Sequence, residues 1–223
     1  MIRFDGVTKA YDNGLVALEN LSFSVEKGEF VFLTGECGAG KTTALKLLAL
    51  EERPTSGRVT VCGFDAGSMR PRTIAALRRK LGIISPEFGL LADRTAFENV
   101  AFAMRALGAR EKLVAPRTFA ILAEAGLAHK AQARLDCLSG GEQWRLRIAR
   151  AMANGPLLLL ADDPFGNLDS GAAAEILSLL RTLHIRGTTV LAATHETEFI
   201  RACGERKITL QRGRLADAGD KAG

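Results

Sequence analysis

The sequence lacks any close pairing of cysteines. Its four, Cys37, Cys62, Cys137 and Cys203, are scattered without a CxxC spacing, which argues against a disulfide framework or a cysteine-held metal and suits reduced thiols in the cytosol. It also lacks a long apolar run. The longest aliphatic stretch is Leu157 to Ala161, far short of the roughly 20 residues that cross a bilayer, and Met1-Ile2-Arg3-Phe4-Asp5 has none of the apolar character of a secretory leader, so no leader is expected. Tryptophan and tyrosine occur once each, as Trp144 and Tyr11, and no internal repeat is visible. Hydrophobic residues at 47% and charged residues at 25% exclude a disordered or fibrous chain. With 223 residues, one large domain can bury about 70% of its unfolded surface. The net charge of +5 favours an anionic partner, whether nucleotide, membrane surface or nucleic acid, without choosing among them. Arg70-Pro71-Arg72 and Arg78-Arg79-Lys80 read as a solvated helix face.

What is present centres on Val31 to Thr43. An apolar run leads into Gly35-Glu36-Cys37-Gly38-Ala39-Gly40-Lys41-Thr42-Thr43, the strand, glycine turn and helix start of a phosphate-binding loop. Backbone N–H groups would cradle phosphate oxygens, Lys41 would reach the terminal phosphates, and the Thr42 hydroxyl would serve Mg²⁺. A side chain at Gly38 or Gly40 would hold the backbone off the anion, which sits at the positive end of the following helix.

Along the chain, residues 2 to 33 alternate as an antiparallel sheet would: Ile2 and Phe4, then Leu21, Phe23 and Val25, then Phe30 and Phe32, with turns at Asp12-Asn13-Gly14 and Glu26-Lys27-Gly28. Tyr11, read as exposed, precedes the loop and could stack on a base or pack at an edge. An apolar helix is expected through Leu45, Leu47, Leu48 and Leu50 to near Arg53-Pro54, then a hairpin strand from Gly57 to Gly63, and a short buried strand, Gly82 to Ser85, stopped by Pro86. From Glu87 to about Cys137 the pattern turns helical, with Phe97, Val100, Ala101, Met104 and Leu107 at helical spacing and a second helix through Phe119, Leu122 and Ala123 ended by Gly126. This predicts an inserted helical subdomain over 87–137, with Met104 and the phenylalanines in its core. The second half predicts a helix from Trp144 to Ala153, a buried parallel strand from Leu157 to Ala161, a helix from Ala172 to Arg186, a strand from Thr188 to Ala193 and a terminal hairpin at 208–216.

Two further stretches carry chemistry. Ser139-Gly140-Gly141-Glu142-Gln143 stands at a helix start, where paired glycines form a second anion site and Ser139 can cap the helix. Leu157 to Leu160 ends in Ala161-Asp162-Asp163, and an acid at the end of a buried strand suits Mg²⁺, with Asp162 as ligand and Asp163 beside it able to orient or deprotonate water.

Loop, glycine turn, acid-tipped strand and then Thr194-His195, in this order over nearly the whole chain, resemble the ATP-binding-cassette (ABC) ATPases. That resemblance implies an α/β fold: a phosphate-loop parallel-sheet core with an N-terminal antiparallel β-subdomain and an inserted helical subdomain, all in one domain over 1–223. It makes Gly35 to Thr42 the Walker A loop, Leu138 to Gln143 the signature sequence, Leu157 to Asp162 the Walker B strand, Asn167-Leu168-Asp169 the D-loop, His195 the switch histidine and Tyr11 the aromatic on adenine. It further implies ATP and Mg²⁺, a head-to-tail pair in which one copy's Walker loop and the other's signature serine hold each ATP, and a membrane protein driven by the pair. Within the family, Met1 to Phe4, Gly28 to Gly35, Asp93-Arg94-Thr95 with Glu98 to Ala101, and Gly166 to Asp169 are similar to a bacterial cell-division branch. That branch implies a peripheral ATPase at the cytoplasmic face of the inner membrane, acting through an integral membrane partner on cell-wall hydrolases. Lipoprotein-release and macrolide-export ATPases share several of these motifs. No nucleic acid is expected, because cassettes acting on DNA or ribosomes usually carry two cassettes or long insertions.

The sequence departs from that pattern at several positions. Asp163 stands where a glutamate follows the Walker B aspartate, one methylene shorter, which predicts slow hydrolysis. Pro86 stands where a glutamine contacts Mg²⁺ or the attacking water and links the site to the helical subdomain, which predicts either that Glu87 substitutes as a carboxylate ligand or that the coupling is weakened. Trp144 replaces a glutamine after the signature and either packs on the dimer partner or covers the helix start. Cys37 inside the loop is a weak candidate for oxidation.

Overall fold

A computed structural model describes residues 1–86, 89–153, 155–166, 168–195, 200 and 203–219. The first half runs β1 (Ile2–Ala10), β2 (Val16–Val25), β3 (Phe30–Thr34), α1 (Lys41–Leu48), β4 (Ser56–Val61), β5 (Phe64–Asp65), α2 (Pro71–Arg78) and β6 (Leu81–Ile84). It continues with α3 (Ala96–Ala106), α4 (Glu111–Glu124), α5 (Gly140–Met152), β7 (Leu158–Asp162), α6 (Ser170–Ile185), β8 (Thr189–Ala193), β9 (Arg206–Gln211) and β10 (Arg214–Asp217).

The strands form two sheets. An antiparallel one has the order β2-β1-β4-β5, and a six-stranded one the order β10-β9-β3-β8-β7-β6, parallel throughout except at the β9–β10 hairpin. Alternation in β1 and β2 buries Ile2, Phe4, Leu21, Phe23 and Val25 as the pattern predicts, and the opposed Phe4 and Phe23 rings stack 4.5 Å apart. β3 departs from expectation. It leaves the antiparallel sheet and runs parallel between β8 and β9, with all five residues buried. Val31 and Leu33 face one apolar cluster and Phe30 and Phe32 another on the opposite side. A strand covered on both faces is apolar at every position, so its alternation carries no information about partners.

α1 ends earlier than expected, at Leu48. Leu50 adopts a left-handed backbone conformation, φ 61°, with Glu51 N–H donating to Lys46 O at 3.0 Å and Leu50 N–H to Leu47 O at 3.3 Å. This is a Schellman closure built without glycine, and for that reason no residue type announces it. Leu157 lies outside β7 and is 43% exposed.

α3 and α4 pack on each other and on α5 around a third apolar cluster that includes Val100, Met104, Leu122 and, from α5, Leu146 and Ala149. Met104 is buried as expected, but Phe102 and Phe119 are 55% and 47% exposed. α3 starts with a capping box: Thr95 Oγ1 accepts from Glu98 N–H, and Glu98 returns the bond to Thr95 N–H. The fully buried Asn99 side chain accepts from Leu91 N–H at 2.8 Å and donates to Leu91 O and Thr95 O, fastening this unit to the segment that follows β6.

Candidate functional site

The loop between β3 and α1 folds as the glycine spacing predicts. α1 begins at Lys41 with Gly40 as its cap, and Gly40 has φ 100° with an added Cβ only 2.6 Å from Ala17 O. Neither the backbone angle nor the space admits a side chain there. At Gly38, φ is 77° but nothing lies within 4 Å of an added Cβ, so only the angle constrains that position. Lys41 Nζ donates across the loop to Gly35 O at 2.6 Å and Glu36 O at 3.0 Å. Ala39 N–H bonds Glu36 O, and Gly213 N–H from the β9–β10 turn bonds Ala39 O, so that turn braces the loop from outside.

An open cleft of about 560 Å³ runs over this loop, lined by Cys37 to Thr43 together with Asp162, Asp163 and His195. Parallel topology gathers them: β3, β7 and β8 lie side by side and all deliver their C-terminal ends to one edge. Thr42 Oγ1 donates to Asp162 Oδ1 at 3.3 Å. Asp163, in a left-handed conformation of φ 46°, accepts from Thr194 Oγ1 at 3.4 Å, and its Oδ1 lies 3.2 Å from His195 Nδ1. The two residues read from the sequence as separate catalytic candidates thus form one contacting pair.

Tyr11 does not line the cleft. It is half-buried rather than exposed, with its hydroxyl 3.3 Å from Thr43 Oγ1 and Lys9 Nζ 4.9 Å over its ring. The apolar wall is instead Leu15, Val16 and Ala17, of which Leu15 and Val16 are 58% and 51% exposed. Sequence reading missed these three, as it missed Arg212 and Gly213 on the rim. Two aliphatics straight after the Asn13-Gly14 turn were the available signal; nothing local ties the distant hairpin turn to the loop.

Ser139 to Gln143 form the other group, away from the residues that line the cleft. Ser139 Oγ accepts from Glu142 N–H at 3.2 Å, and the Glu142 carboxylate accepts from Ser139 N–H at 2.8 Å, a second capping box legible as Ser-x-x-Glu. The backbone bond from Ser139 holds the Glu142 carboxyl below its ordinary pKa. Gln143 donates to Leu138 O. Asp169 caps the neighbouring helix α6 by accepting from Ala172 N–H at 2.8 Å. An added Cβ on Gly141 would meet Ala172 at 3.2 Å, and Arg145 pairs with Glu175, so the starts of α5 and α6 form one surface. Trp144 is partly buried against this chain's own core, with the Arg147 guanidinium 4.9 Å over its ring. Asn167 and Glu87 lie outside the described residues, and Pro86 is exposed.

A phosphate loop at the edge of a parallel sheet, an acid at the tip of the neighbouring strand and a helical unit inserted before the glycine turn define a nucleotide-binding cassette. The family model for ABC transporters matches residues 18–166, and the chain belongs to that family as one of its ATPases. Among curated relatives it is 43% identical to the cell division ATP-binding protein FtsE of Escherichia coli K12, over 96% of this chain and 97% of that one. To FtsE of Bacillus subtilis it is 40% identical, over 96% and 93% of the two chains. Among solved structures it superposes with a TM-score of 0.91 at 33% identity, over the full length of both chains, on the dimeric ATP-binding cassette MJ0796 in a post-hydrolysis state bound to ADP and Pi.

Proposed function

We propose that this chain is the ATP-binding and ATP-hydrolysing subunit of a bacterial inner-membrane complex of the FtsE type. It would lie at the cytoplasmic face and act with an integral membrane partner, FtsX, to couple nucleotide state to cell division and cell-wall hydrolysis. The relatives named FtsE, matched over nearly their whole length, support this. Among the described residues no helix is long and apolar enough to cross a membrane.

The observation that carries the chemistry is the convergence of Lys41, Thr42, Asp162 and Asp163 on one cleft. The loop from Gly35 to Thr43, with its N–H groups and the Lys41 ammonium, binds the phosphates of ATP. A hydroxyl and a carboxylate 3.3 Å apart are hard oxygen donors of the kind Mg²⁺ takes alongside phosphate and water, so Thr42 and Asp162 fit that ion. The ion held by these two residues would supply charge neutralisation at the terminal phosphates. Asp163 positions the attacking water and accepts its proton, while His195 and Thr194 fix the Asp163 carboxylate. Leu15 and Val16, on the apolar wall of the cleft, cover the base. Ser139 to Gln143 and Asp169, on the surface formed by α5 and α6, complete the site of a second copy in a head-to-tail pair.

A second reading, a nucleotide-gated scaffold that closes on ATP and turns over little, draws on the short Asp163 side chain and its engagement by His195. A single-turnover ATPase measurement on the chain copurified with its membrane partner separates the two. Cleavage of bound ATP within seconds supports the motor, and ATP intact after many minutes supports the scaffold. Stimulation by a lipoprotein-release or macrolide-export permease, and none by FtsX, would overturn the assignment.

A further inference from the structure

Adjoining the nucleotide cleft, and sharing Thr42 and Asp162 with it, is a cavity of about 20 Å³ lined also by Lys46 of α1 and Ser85 just past β6. It has room for one water, with several polar side chains around it. Strand register accounts for Ser85 being there. β6 and β7 pair in parallel, Ile83 with Leu160 and Ile84 with Ala161, so the next step sets Ser85 beside Asp162. Side chains two apart share a face of a strand. Leu158 and Leu160 of β7 and Leu81 and Ile83 of β6 belong to the cluster under α1, whereas Leu159, Ala161 and Ile84 belong to the opposite one. Ser85 and Asp162 therefore both face the first turns of α1. Adjacent strands run about 4.8 Å apart, and Ser85 is only 9% exposed, so its hydroxyl works among those polar neighbours and not in bulk water.

We propose that Ser85 is a further positioning residue of the metal site, its hydroxyl holding a water of the Mg²⁺ shell below the Thr42–Asp162 pair. Mg²⁺ keeps several of its waters in protein sites, and groups that orient such ligands commonly change metal affinity by 10- to 100-fold when removed. The next residue, Pro86, offers no side-chain donor or acceptor and is exposed, so Ser85 supplies a polar group on this strand where its neighbour cannot. This rests on the reading of Thr42 and Asp162 as metal oxygens.

The test uses Mn²⁺ as probe, bound with a non-hydrolysable ATP analogue and followed by electron paramagnetic resonance and proton ENDOR. Ser85→Ala is expected to weaken Mn²⁺ binding about tenfold or more and to alter the ordered-water proton couplings, with metal-free analogue affinity unchanged. Unchanged Mn²⁺ affinity and couplings in Ser85→Ala, while Thr42→Ala loses metal, would overturn the role of Ser85 alone. Unchanged Mn²⁺ affinity in Thr42→Ala would overturn the metal-site reading beneath it. If Ser85→Ala loses metal-free binding through misfolding, Ser85→Cys, of similar volume and a weaker donor, replaces it with the same two outcomes.

Discussion

Asp163 leaves β7 in a left-handed backbone conformation, one that aspartate tolerates better than most side chains. Its N–H bonds Ala193 O at 2.8 Å, and an added Cβ on Gly166 would lie 2.4 Å from its Oδ2. The carboxylate is held by Thr194 and His195, which limits how far it swings to recover the reach of a longer side chain. A retraction of about 1 Å at a reacting group costs on the order of a hundredfold in rate. Asp163→Glu is accordingly expected to raise the steady-state ATPase rate of the purified protein by roughly tenfold to a hundredfold. An unchanged rate would show that reach is not what limits hydrolysis. Lys41 makes the opposite kind of test. Lys41→Ala removes the cation over the loop and is expected to abolish detectable ATP binding in calorimetry, whereas retained micromolar affinity would mean that the loop N–H groups suffice.

Among the elements, the helices show most clearly what a sequence pattern carries and what it leaves out. Both capping boxes, Thr95 with Glu98 and Ser139 with Glu142, are local four-residue signals and stand in the structure as the spacing implies. The end of α1 is different, because Leu50 closes the helix in a left-handed conformation that no glycine marks. β3 was legible as a strand but not as a central parallel one, since its partners β8 and β9 lie more than 150 residues away in the chain. Asn99 was equally silent. An asparagine on a helix reads as solvent-facing, yet here it is fully buried and satisfies both backbone groups of Leu91. Asn99→Ala removes the partner of the Leu91 N–H, while Leu91 O keeps its bond from Arg94 N–H, at about 1–3 kcal/mol. The thermal midpoint should fall by roughly 2–4 °C for each kcal/mol lost in a chain of this size. Calorimetry of the variant checks this, and an unchanged midpoint would mean that water reaches Leu91.

In the whole molecule the two groups of functional residues lie on separate surfaces: the phosphate loop with Asp162, Asp163 and His195 on one, and the capped starts of α5 and α6 on the other. In the proposed head-to-tail pair of two copies, the two surfaces would meet around ATP. Asp163→Asn, which retains the nucleotide while slowing cleavage, is expected to shift from monomer to dimer in light scattering when ATP and Mg²⁺ are added. Adding Ser139→Arg, which blocks the second surface, should keep it monomeric. A dimer that forms equally well with Ser139→Arg would rule out this pairing. The sequence by itself determined the phosphate loop, the Ser139 cap, the acid-tipped strand and the family, because each depends on residue types at short fixed spacings. Tertiary structure alone decided that Asp163 contacts His195, that Leu15 and Val16 wall the cleft in place of Tyr11, and that Ser85 lies beside Asp162. Those contacts come from strand order and register, which join residues far apart in the chain and leave no local trace.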